Sequence, residues 1–105
     1  MKIIKEATIN TGSMSFDTID ELDAFIKAIP SMAPVIEKTS AGFRKGQILQ
    51  RESTQLSPNT FHTKMTYASQ SDSDDIESLI DVNTVIQAAS ALGWTVDRSI
   101  SYAYD

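Results

Sequence analysis

His62 is the only histidine in the chain, and its imidazole is the one side chain that ordinarily exchanges protons near neutral pH. The chain has no cysteine, so a thiol nucleophile, a thiolate metal site and a disulfide framework are all excluded. A nucleophilic triad needs a hydroxyl, His62 and a carboxylate converging in space. Asp97 is the candidate acid, but its strand is expected two strand spacings from that of His62, roughly 9–10 Å away. No serine sits in a G-x-S-x-G setting. Arg51, His62 and Lys64 instead form the best anion-binding candidate, because a hairpin would set Arg51 opposite His62 with Lys64 two residues along. Edge-strand charge that discourages aggregation is the simpler explanation of the same three residues.

The acids are segregated. Segments 17–29 and 72–92 hold nine of the 14 acids against the single base Lys27, while the remainder of the chain is mildly basic. Asp17, Asp20, Glu21 and Asp23 in the first segment make an acidic helical face with Asp74, Asp75, Glu77 and Asp81 in the second. Acids in a first helical turn favour the helix dipole, and that alone accounts for most of them. The sharper reading is a surface for a basic protein partner, an inhibitor or nucleic-acid mimic among the options. Asp72-Ser73-Asp74-Asp75 lacks the glycine and the distal glutamate of a calcium loop. Gly42-Phe43-Arg44-Lys45-Gly46 leads into a strand, where a phosphate cradle would need a helix N-terminus. No metal and no cofactor is therefore expected. With a net charge of −5, direct nucleic-acid binding is not expected either.

The elements that must position these groups follow from periodicity. Residues 2–9 alternate as a strand and end at the turn cluster Asn10-Thr11-Gly12-Ser13. Thr18 with Glu21 has the form of a capping box, Ile19, Leu22 and Ile29 recur at helical spacing, and Pro30 stops the helix. Pro34-Val35-Ile36-Glu37-Lys38 is expected to be one short turn. Residues 45–52 and 60–67 read as a hairpin around a five-residue loop, 55–59. Opposing Ser53 with Thr60 pairs Ile48 with Met65 and separates an apolar face from a polar one. From 72 to 92 the pattern is helical, with a kink or a break near Asp81 or Asn83. Trp94 to Tyr104 alternate again: Trp94, Val96, Ile100, Tyr102 and Tyr104 face one way, with Arg98 the charged exception among them.

The order β-α-β-β-α-β is that of a ferredoxin-like α+β domain, a four-stranded antiparallel sheet with two helices on one face. Right-handed crossovers put the first and third strands at its centre. At 105 residues the chain is read as one domain spanning 1–105. It has no apolar segment of signal or membrane-spanning length, so a cytoplasmic location is expected. The third strand, Phe61-His62-Thr63-Lys64-Met65-Thr66-Tyr67, lacks the aromatic motif of RNA-recognition domains. With no catalytic constellation in view, the expected function is a non-enzymatic interaction protein acting through its acidic helical face or its sheet. The alternative is a dimeric α+β barrel binding or converting a small anionic molecule, with His62 as acid–base group and Arg51 and Lys64 holding the anion. A structural subunit of a larger assembly, docking through Leu56 and the Tyr102–Tyr104 tail, is the third option.

Overall fold

A computed structural model describes residues 1–80 and 82–103; Asp81 and Tyr104 lie outside the described residues. Strand β1 (Lys2–Asn10) is followed by helix α1 (Ile19–Lys27), a 3-10 turn (Pro30–Met32) and helix α2 (Ala33–Arg44). Strands β2 (Ile48–Ser57) and β3 (Thr60–Tyr67) form a hairpin. Helices α3 (Gln70–Ile80) and α4 (Val82–Ala91) lead to the last strand, β4 (Thr95–Ala103). The sheet runs β2-β3-β1-β4 and every neighbouring pair is antiparallel. The first and third strands are central, as the crossover rule requires. Four helices lie among the described residues where two were expected, so the simple β-α-β-β-α-β order holds only coarsely.

A helix with no expected counterpart is α2, where one short turn was expected. Pro34 sits in its first turn, where a missing N–H costs nothing. Thr39 donates back to the Val35 carbonyl at 2.9 Å, a local bond that obscures the helical pattern. The helix seats itself through Gly42: a Cβ there would stand 2.7 Å from Ile76 Cδ1 and 2.9 Å from Ile48 Cδ1. At α1 the Thr18 hydroxyl accepts from the Glu21 N–H at 3.2 Å. The return arm of the cap reaches one residue further out, with the Asp17 N–H donating to Glu21. The second helical segment comprises α3 up to Ile80 and α4 from Val82; the kink or break expected near Asp81 or Asn83 centres on a position outside the described residues.

The hairpin differs from the expected one in both turn and register. Ser57 pairs with Thr60 across a two-residue connection, Pro58-Asn59, so the strands run further than a five-residue loop allows. Irregularities between Ile48 and Gln50 and between Gln55 and Ser57 each insert a residue, leaving Leu49 and Leu56 exposed. Ile48 consequently opposes Tyr67 instead of Met65, and Arg51 opposes Met65. Arg51 is therefore on the helix-covered face and His62, opposite Thr54, on the other.

Two apolar clusters lie between sheet and helices. Ile3, Ile48, Tyr67 and Ile76 form one, and Phe16, Leu22, Phe61 and Trp94 form the other. Phe16 meets Phe25, Phe61 and Trp94 edge-on, with centroids 5.6–6.1 Å apart. The segment that carries Phe16 is tied to the hairpin turn: the Phe16 N–H donates to the Pro58 carbonyl, and the Gln55 side-chain amide donates to the Phe16 carbonyl at 2.7 Å.

Candidate functional site

The pairing registers set out the helix-covered face of the sheet row by row. At one end Ile3 stands beside Tyr67, and at the other Ile9 lies between Phe61 and Val96. Both rows belong to packed clusters or their margins. Between them lie the rows Met65–Lys5–Ile100 and Thr63–Ala7–Arg98. Charged and small residues there cannot continue the core, and the space above them is a cavity of about 250 Å³. The sheet forms its floor, Val35 and Thr39 of α2 one wall, and Glu77 of α3 with Val85 and Ile86 of α4 the other.

One end of the cavity is ionic. A single oxygen of Glu77 accepts from Lys5 Nζ at 2.6 Å and from Arg98 Nη2 at 2.9 Å. The Lys5 side chain is only 10% exposed, against 29% for Glu77 and 40% for Arg98, so the cluster spans from the interior to the rim. Burial by itself raises the Glu77 pKa, but the hydrogen bonds and charges of Lys5 and Arg98 outweigh it and hold the carboxyl below its ordinary value. Lys5 Nζ also lies 5.7 Å from the centre of the Tyr67 ring. The Tyr67 hydroxyl is pushed up by burial and then by the Glu77 charge, with Arg98 opposing. At neutral pH Tyr67 is thus a neutral phenol, able to donate. Two cations against one carboxylate leave the cluster with one net positive charge, suited to an anionic or strongly polarised oxygen.

The expected anion patch is not assembled. Arg51 points to α1, 3.8 Å from Asp23, while His62 and Lys64 flank Glu6 on the helix-free face, with His62 Nε2 3.5 Å from Glu6. Among the acids, Asp17, Asp20, Glu21, Asp74 and Asp75 are exposed. Asp17 and Glu21 take part in the α1 cap, Asp74 accepts from Gln70, and Asp75 accepts from Gln47 at 3.5 Å. Glu77, expected on the solvated acidic face, is instead the acid of the cavity. Lys5, Tyr67 and Arg98 were not among the expected site residues. The signal for Arg98 was present, since it interrupts an otherwise apolar inward row of β4. Among the described residues no group of three or more His, Asp or Glu side chains is placed to hold a metal, and no helix is long and apolar enough to cross a membrane.

No family model matches the chain, and no curated protein matches it. Solved structures do. SnoaB, a cofactor-independent oxygenase from Streptomyces nogalater, superposes with a TM-score of 0.61 at 10% identity, over 99% of this chain and 94% of its own. A candidate antibiotic biosynthesis monooxygenase from Deinococcus radiodurans gives 0.65 at 15% identity, over 98% and 93%. A dimeric ferredoxin-like protein from an uncultured marine organism gives 0.59 at 12% identity, over 100% and 96%.

The likeness is one of fold. It makes the chain a ferredoxin-like α+β domain, similar along its length to oxygenase-type proteins. It also overturns the expectation of a non-enzymatic interaction protein acting through acidic helices. Two of the three neighbours are named for oxygenase chemistry and none for protein interaction.

Proposed function

We propose that the protein is a dimeric α+β-barrel-type protein that binds and converts a small organic anion in the cavity between sheet and helices. The observation that carries this reading is the Lys5–Glu77–Arg98 cluster, which brings two cations and one carboxylate to the end of an otherwise largely apolar space. Of the three, the Lys5 ammonium is the buried member, and its pairing with Glu77 offsets the cost of desolvating it. Within this reading Lys5 and Arg98 hold the substrate oxygen, Glu77 fixes the two cations in place, and Tyr67 donates to the developing oxyanion. The reaction class we carry over is the one named for the Streptomyces neighbour, oxygenation without a cofactor. A bound enolate or phenolate is the electron-rich form that such a reaction uses, and a cationic end stabilises it.

Calorimetric titration with 1-naphthoate and with the neutral 1-naphthalenemethanol tests this. The anion is expected to bind at least about tenfold more tightly, the size of a charge-assisted hydrogen bond. Arg98→Met is expected to remove most of that preference. Equal affinity for the two probes, or a preference untouched by Arg98→Met, would overturn the assignment.

A further inference from the structure

A second chamber adjoins the cavity. It has a volume of about 70 Å³, and Ile9, Val85 and Val96 belong to the walls of both. Beyond those three it is lined by Ile26, Ile29, Met32, Ala88, Leu92 and Trp94 with Ala89, and none of its accessible wall is polar. An apolar cavity of about 150 Å³ takes up benzene. One of half that size has no room for a ring but does hold a few methylenes. A polar group pushed into it would lose its hydrogen bonds with nothing in return.

The two spaces lie in line along the sheet. Lys5 and Ile9 share one face of β1 and are four residues apart, about 14 Å at the rise of an extended strand. Arg98 and Val96 repeat the same change from charged to apolar on β4. A ligand held at the ionic end and long enough to leave the main cavity is thus led toward a narrowing, wholly apolar end. The single net positive charge at the head balances one anionic group and not two.

We infer that the ligand is a one-headed amphiphile, with an anionic oxygen group at Lys5–Glu77–Arg98 and an unbranched alkyl portion that passes over Ile9, Val85 and Val96 into the Trp94 chamber. This rests on the proposed binding of an anion in the cavity and adds the shape and chemistry of the rest of the molecule.

Titration with straight-chain carboxylates from butanoate to tetradecanoate, below their aggregation limits, tests it. Each added methylene is expected to tighten binding about three- to fourfold until the chamber is full, and then to add nothing. Emission from Trp94, the only tryptophan, is expected to change for chains that reach the chamber and not for butanoate. Ala89→Phe fills part of the wall that belongs to the chamber alone. It is expected to shorten the plateau by several carbons while leaving butanoate binding unaltered. Ala88→Leu makes a smaller intrusion into the same wall and keeps the test available should Ala89→Phe not fold. Carboxylates that bind in an Arg98-dependent way, but with no dependence on chain length or a plateau that neither variant shifts, would overturn the amphiphile and leave the anion site standing. No binding at any length would overturn both.

Discussion

Glu77 is the residue on which the cavity's electrostatics turn, because it faces both Lys5 and Arg98. Its carboxyl, although raised by burial, is held below its ordinary value of 4.5 by those two partners. A lowered carboxylate contributes stability that is present above the ordinary value and disappears as the pH falls through the lowered one. Thermal unfolding should therefore show an acid limb below about pH 4.5 that is shallower in Glu77→Gln. At neutral pH the same variant is expected to lose about 1–3 kcal/mol, since the Lys5 ammonium keeps its place but loses its anion. An unchanged acid limb would mean that the pair is not formed in solution. Sequence reading found Arg98 as an anomaly but could not complete the cluster. Lys5 lies in a strand whose alternation is irregular, and Glu77 stands among acids whose facing depends on where α3 docks. Which acid turns inward is decided by the partners that await it, Lys5 and Arg98, and these come from strands far away in the chain.

Among the elements, the four strands and the first and last helical segments were legible, while α2, the longest helix, and the hairpin register were not. Alternation in Trp94–Ser101 and the capping signal at Thr18 are local properties, so β4 and the start of α1 can be read directly. The register of β2 is not local, because the two inserted residues that offset it depend on pairing with β3. That single difference separates Arg51 from His62 and removes the anion patch built on their adjacency. Helix α2 was hidden because its seat is a glycine, a residue that argues against a helix on propensity alone. Gly42→Ala offers a test. The helix gains about 1 kcal/mol of propensity, whereas overpacking against Ile76 and Ile48 costs about 1–3 kcal/mol. A net loss of about 1 kcal/mol is expected in denaturant unfolding. Combining it with Ile76→Val, which removes the crowded Cδ1, should recover part of that loss relative to the sum of the single changes. Simple additivity would show that α2 does not approach the sheet this closely.

The whole molecule presents two unlike faces of one sheet. The helix-covered face holds the clusters and the cavity; the other carries Glu6, His62 and Lys64 on the central strands, with Glu52 and Asp97 on the edges. Both signs are interspersed there, so a two-fold copy can oppose acid to base, and the marine neighbour of the same fold is dimeric. Lys64 stands opposite both Glu6 and Glu52. Light scattering is expected to give twice the 11.5 kDa chain mass, and Lys64→Glu to shift the population toward monomer. A monomer at all accessible concentrations would remove the dimer and leave the cavity intact. The central claim is that the sheet–helix cavity, and not the helix-free face or the acidic helix starts, receives a small anion. Backbone amide shifts on titration with 1-naphthoate test it most directly. Saturable shifts are expected at Lys5, Tyr67, Glu77 and Arg98, and in Arg98→Met those at Lys5, Tyr67 and Glu77 should need much more ligand. Shifts centred instead on His62, Lys64 and Thr66, or on the first turn of α1, would contradict it.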